Sequence, residues 1–406
     1  MLATDVDRAF LPLGEPFTLD PTWAFLNHGS FGACPRAVQQ VQGGLRDRME
    51  AQPVRFLAND YEGLLDGARD ALAAFLHADP QGLVFVPNAT TGVNAVLQSF
   101  DLHPGDEVLV TDHAYNACRN ALDAVAGQAG GRVRVAAVPF PLSDDTAVIE
   151  ALRAAITART RIAMIDHVTS PTGLVLPIEA IVADLQGRGI DVLVDGAHAP
   201  GMVPLDLDRL GAAFYTGNCH KWLCAPKGAG FLWVREDRRA GVRPVVTSHG
   251  ANSKRADRSQ FRLAFDWTGT ADPTPYLSVP AALDLLGGLL PGGWPALMQR
   301  NRALALHGRD VLCEALGVPR PCPDSMIGSL AAVPLPDRDA RFVPRPPLLL
   351  DPLQIALQDR ARIEVPILSW PRAPQRLVRV SAQAYNHPAQ YRSLAAHLRA
   401  FLAEGI

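Results

Sequence analysis

The chain has 406 residues, is 48% hydrophobic and 19% charged, and sets 38 Lys+Arg against 41 Asp+Glu for a formal net charge of −3. So even a balance leaves no electrostatic footprint for nucleic acid or an acidic membrane surface, and neither is an expected partner. The length suits one large domain plus a smaller one, because single cores stop growing at roughly 250–300 residues.

The opening stretch MLATDVDRAFLPLGEPFTLD carries acids early and lacks an apolar run long enough for a signal peptide. No window approaches the ~18 uninterrupted apolar residues of a membrane span. Six scattered cysteines do not form a disulfide framework, so a reduced cytoplasm is expected. Cys219 and Cys224 flank His220, but tetrahedral zinc needs a second ligand pair and none is in evidence, so no metal is expected.

From about residue 80 the sequence alternates short apolar strands with helical segments. Strands are predicted at 82–86 (GLVFV), 107–111 (EVLVT) and 132–138 (RVRVAAV), with a helix from Thr91 through Leu97 after the first. Residues 162–165 (IAMI) follow an Ala- and Arg-rich helix. Ile178, Ile181, Val182 and Leu185 recur at helical spacing before strands at 191–194, 213–215 and 230–234. The alternation predicts an α/β fold, a mostly parallel sheet sandwiched by helices. Past residue 285 the pattern changes. The stretches GGLLPGGW and VPLPDRDARFVPRPPLLLDP read as turns and loops of a smaller α/β unit that ends in an amphipathic helix near 391–402. The expected division is a large domain over 22–285 and a small one formed by 1–21 and 286–406.

Ligands of such sheets sit beyond the carboxyl ends of the strands, and those ends are polar here: 88–90, 112–115, 166–170, 195–198 and 216–221. NATTGVNAVL opens a helix with small and hydroxyl residues, which suits either a phosphate or ordinary capping. In DVLVDGAHAPG a buried strand ends on Asp195, and a carboxylate there must be paired or hydrogen-bonded. Holding a pyridine nitrogen protonated is one task for it; capping the next helix is another. In YTGNCHKWLCAPKGAG, Lys221 stands at a strand end among apolar neighbours, where desolvation lowers an amine pKa and favours imine chemistry. A ring-nitrogen partner, an imine lysine and a phosphate cradle on one sheet edge are together what pyridoxal phosphate requires.

With FLNHGSFGACP (25–35), TDHAYNAC (111–118), DHVTSPTG (166–173), GTADPTPYL (269–277) and VRVSAQAYN (378–386), these segments resemble, in order, the class V aminotransferase family of fold-type I pyridoxal-phosphate enzymes. The nearest likeness is its isopenicillin N epimerase-like branch. The resemblance implies that Lys221 carries the cofactor imine and moves the Cα proton, that Asp195 pairs with the pyridine nitrogen and that His198 hydrogen-bonds the phenolic oxygen. It places Ala89 and Thr90 at the phosphate with Asn218 and His220 adding contacts, His113 on the cofactor face, and Ser170 beside it. Tyr115, two residues on, is an alternative for the stacking position. Arg379 is expected to clamp the substrate carboxylate, Asn27 and His28 to cover the site, and Thr270 to reach a phosphate across the interface of a homodimer with shared active sites. His113 as a loop cap and Arg379 as a structural ion pair are the plainer alternatives.

The implied reaction is Cα chemistry on an amino acid, epimerase-like, with C–S lyase or cysteine desulfhydrase activity as the alternative. A non-catalytic binding module of the same fold would be expected to have lost Lys221 or Asp195, and both are present. Persulfide-forming desulfuration is disfavoured, because no cysteine lies between Cys322 and the end of the chain.

Overall fold

The structure is a computed structural model and describes residues 10, 13, 16–339 and 350–406. Most of 1–15, and the 340–349 part of the proline-dense stretch, lie outside the described residues. Seven strands form the main sheet: β1 (Leu83–Val86), β2 (Glu107–Thr111), β3 (Arg132–Ala136), β4 (Thr160–Asp166), β5 (Asp191–Gly196), β6 (Phe214–Asn218) and β7 (Gly230–Val234). Their spatial order is β1-β7-β6-β5-β4-β2-β3. Only β7 runs against the others, pairing antiparallel with both β1 and β6. The fold is therefore α/β with a mostly parallel sheet, as the alternation predicts.

The strands form where Val, Ile and Leu are dense, because both faces of the sheet are covered and every position in β1, β2, β6 and β7 is buried. β3 is the exception. As an edge strand it leaves Arg132, Arg134 and Val135 exposed, and it stops at Ala136, short of the predicted 138. Apolar residues on one face of the sheet join Leu26, Leu72, Trp222 and Tyr391 in one core, while Val93, Val96 and Leu122 pack on the other face.

Helix α1 (Ala89–Ser99) begins two residues earlier than predicted, because Asn88 caps it: its Oδ1 accepts from the Thr91 N–H at 2.9 Å. α2 (Asn116–Gln128) follows β2, and α3 (Gly293–Leu316) leads into a second sheet. That sheet is antiparallel and three-stranded, ordered β9-β10-β8, from β8 (Leu330–Leu335), β9 (Ile367–Ser369) and β10 (Arg376–Ser381). The predicted C-terminal helix is α4 (Pro388–Ala403), started by Pro388 and a reciprocal His387/Gln390 capping box. Among the described residues no helix is long and apolar enough to cross a membrane, and all six cysteines are buried and free.

Two features bring distant segments to the carboxyl end of the main sheet. Gly32 takes a φ of +70°, and any Cβ there would collide with the His220 carbonyl, so segment 25–35 lies directly on the Lys221 loop. Ser381 N–H donates to Leu26 O and Gly29 N–H to the Ser381 hydroxyl, which ties the end of β10 to the same place.

Candidate active site

A cleft of about 1040 Å³ opens over the ends of β1, β4, β5 and β6, lined by Thr90, Asp166, Asp195, His198, Lys221 and Arg379 among others. Each strand end contributes because its apolar body anchors the backbone, leaving the first polar residue beyond it facing the crevice.

Lys221 Nζ lies 3.1 Å from His198 Nε2. Burial first, and then the charge of Arg379, push the Lys221 amine down to about 8, so a substantial neutral fraction is present near neutrality. His198 is buried and held well below the usual histidine range by burial and by Lys221. Its Nδ1 accepts from the Trp222 indole N–H at 3.4 Å, which puts the proton of the neutral ring on Nε2, facing Lys221. Trp222 is itself buried beneath this pair, and His28 Nε2 sits 3.0 Å from the Lys221 carbonyl. The lysine backbone is thus fixed from behind while its amine remains in the cleft.

Asp195 is buried at the end of β5. Its Oδ1 accepts from the Ala197 N–H at 3.0 Å and its Oδ2 from the Cys118 thiol at 3.3 Å. At the start of α1 the Ala89 N–H donates to Asn218 Oδ1 at 2.8 Å and the Thr91 N–H to Asn88. Ala89 and Asn218 therefore bond each other, locking helix start to strand end. Thr90, between two N–H groups already engaged, lines the cleft where the dipole of the 11-residue helix points. His220 also lines the cleft, with Nδ1 2.9 Å from Ala229 O.

Arg379 comes from β10 and is 4% exposed. Its Nη1 donates to the Ser170 carbonyl and its Nη2 to the Ser30 hydroxyl at 3.0 Å. No carboxylate of the described residues pairs with it, and its Nε has no hydrogen-bond partner. Burial lowers it to about 10, which still leaves it charged at neutral pH. A buried guanidinium that faces a cleft without an ion-pair partner among the described residues has the chemistry to accept a carboxylate. Among the described residues the ion pair of the plainer alternative does not form.

Three expected residues, His113, Asn27 and His28, are placed differently. His113 does not face the cleft: its Nδ1 lies 2.7 Å from Thr172 Oγ1, its Nε2 3.0 Å from Val138 O, and its ring packs 4.3 Å from Trp370. The turn after β2 folds this side chain beneath the cleft floor, and Tyr115, 47% exposed, lines the cleft instead. Asn27 is spent on Ser30, whose hydroxyl donates to Asn27 Oδ1 at 2.6 Å. His28 is fully buried against Tyr385 and Lys221 O and lines nothing. Thr270 is exposed and outside the cleft lining. Sequence reasoning missed Ser30, Phe31, Asp166 as a working group, and Trp370. Ser30 and Phe31 stand inside the FLNHGSFG segment, but nothing in their spacing marked them; Trp370 carried no signal at all.

The reversed strand β7, the six parallel strands around it and a lysine at the end of β6 define the class: a fold-type I pyridoxal-phosphate-dependent transferase fold. The chain belongs to the Aminotransferase class-V family, whose family model matches residues 34–286. It is 37% identical over 408 residues to an isopenicillin N epimerase of Amycolatopsis lactamdurans, covering 97% of this chain and 99% of that one. It is 31% identical to a probable chloroplastic L-cysteine desulfhydrase of Arabidopsis thaliana, over 95% and 84% of the two chains. Among solved structures, a C-DES mutant with glycine covalently linked to the PLP cofactor superposes with a TM-score of 0.77 at 23% identity, covering 93% of this chain and 97% of that one.

Proposed function

We propose that the protein is a pyridoxal-phosphate enzyme that labilises the Cα–H bond of an amino acid and returns the proton, an epimerase-like reaction. The observation carrying the reading is the convergence of a lysine of lowered pKa, a buried carboxylate and a buried arginine without an ion-pair partner among the described residues in one cleft.

The residues fit the cofactor. Asp195, supported by Ala197 and Cys118, would hold a protonated ring nitrogen, His198 would donate from Nε2 to the phenolic oxygen, and Thr90 at the helix start would meet the phosphate. When bound, the cofactor supplies an electron sink for the Cα carbanion. Lys221, with its depressed pKa, would hold the cofactor through its amine and would serve as the base at Cα. Arg379, aimed by Ser30 and the Ser170 carbonyl, would fix the substrate carboxylate and hence which Cα bond faces Lys221.

Epimerisation needs a second acid on the other side of Cα. Of His113, Tyr115 and His220, the first is folded away, and His220 Nδ1 is committed to Ala229 O. Tyr115 lines the cleft within electrostatic reach of Arg379, so it is the residue we assign. Thr270 would contribute from a second copy of the chain in a homodimer.

β-Elimination from a thiol-bearing substrate is the second reading, favoured by the likeness to desulfhydrases, since it needs only Lys221 and a leaving group. Incubation with L-amino acids in deuterated water decides: deuterium at Cα with inversion supports epimerisation. Pyruvate formed from L-cysteine or S-substituted cysteines without inversion would overturn it.

A further inference from the structure

The end of β4 places a second carboxyl beside the first. Asp166 and Asp195 are partners in the parallel register of β4 and β5, both 3% exposed, and both line the cleft. Their surroundings differ. Each oxygen of Asp195 has a donor, Ala197 N–H or Cys118 S–H, whereas Asp166 Oδ2 is buried with no hydrogen-bond partner. An ionised carboxylate cannot be left so, next to another, without heavy cost. Burial and then the charge of Asp195 hold Asp166 well above the carboxylate range, opposed by hydrogen bonds from its own backbone and that of Tyr115 and by Lys221. The other titratable groups here are Cys118 from α2, whose thiol burial and Asp195 push up; Tyr215, raised by burial and Asp195; and His198, kept neutral.

We infer that Asp166 is the proton-holding partner of Asp195: a neutral carboxylic acid before the cofactor enters, whose proton protonates the ring nitrogen held at Asp195. The inference rests on the cofactor reading above. The balance is simple. The Asp166 O–H bond breaks, an N–H bond forms on the ring nitrogen, and the new positive charge faces the two carboxylates that remain. Before loading, the site carries one negative charge from the pair, and afterwards two negatives and one positive, so no proton need come from solvent. Asp166 is a positioning and proton-holding residue; Lys221 remains the base at Cα.

The test is calorimetric titration of cofactor-free enzyme with pyridoxal 5'-phosphate in buffers of different ionisation enthalpy, at a pH where the free cofactor's ring nitrogen is unprotonated. Asp166→Asn, which mimics the neutral acid but has no proton to give, is expected to take up about one more proton per site from buffer than the natural chain. Equal proton uptake by the two would overturn the inference. The natural enzyme alone gives a second measurement, independent of how the variant folds. Its infrared spectrum is expected to show a protonated-carboxyl stretch that disappears on loading, and persistence of that band would overturn the inference. Failure of the natural chain to bind the cofactor at all would instead overturn the cofactor reading.

Discussion

Lys221 and Arg379 are two desolvated cations in one cleft that arrive by opposite routes. Lys221 lies just past the end of a parallel strand, among its buried chain neighbours Trp222, Cys219 and Leu223, with His28 of a distant segment against its carbonyl. Arg379 lies in the middle of an antiparallel strand of a different sheet, and its guanidinium is aimed by Ser30 and Ser170, 349 and 209 residues away in the chain. The proposed attachment lysine thus stands at the end of the main sheet with a long-range contact to its backbone, while the proposed substrate arginine has its side chain aimed by long-range contacts. Geometry on the first side should depend less on distant segments than geometry on the second.

The largest expected effect breaks the first side. Lys221→Ala is expected to lower turnover by at least about 10⁴-fold, the upper range for a positioned acid–base group, and to abolish the visible band that borohydride bleaches. Turnover within a few-fold of the natural enzyme would remove Lys221 from the chemistry. Tyr115→Phe separates the two faces of Cα. Inversion should fall by about 10²-fold while deuterium exchange with retention persists, because Lys221 still reaches its own face. Unchanged inversion, followed by chiral chromatography, would show that another group delivers the second proton.

On the recognition side, Arg379→Lys should raise KM by about 10- to 100-fold with a smaller change in kcat, because an ammonium cannot reproduce two parallel charge-assisted bonds. Ser30→Ala should shift KM in the same direction by up to about tenfold, since the bond lost is to a charged guanidinium, a class of bond that contributes about 1.5–3 kcal/mol, while the Ser170 carbonyl still holds Nη1. A kcat-only loss in Ser30→Ala would mean that the two sides are not separable. The pH profile sharpens the contrast. Lys221 must be neutral to capture a carbonyl, so the rate of cofactor loading should climb as pH rises and level off above about 8. Arg379, at about 10, stays charged across that window and should add no second inflection there.

Much of the sheet and the chemical end of the cleft was legible from residues in order. Apolar runs bounded by Asn88, Asp195 and Asn218 mark strands and their polar ends, because a parallel sheet covered on both faces demands unbroken burial until the chain leaves it. His113 and Tyr115 could not be ranked that way. They lie two residues apart beyond one strand, and which side chain faces the cleft is decided by the turn, where Thr172 and Val138 take up both nitrogens of His113. Asn27 and His28 mark the right segment, but the side chains that reach the cleft are those of Ser30 and Phe31. Trp370 carries no local signature and reaches the cleft only through the pairing of β9 with β10.

By itself the sequence determined the α/β class, the order of strands and helices along the chain, and the lysine, aspartate and histidine that follow β5 and β6. These are consequences of periodicity and of which residues tolerate a strand end, and both are local. Only the tertiary structure decided that Arg379 has no acidic partner among the described residues, that His113 is a buried support, and that Asp166 and Asp195 stand side by side with unequal hydrogen bonding. Those facts depend on registers and contacts between residues far apart in the chain, where charge and desolvation are set by neighbours that no local pattern specifies.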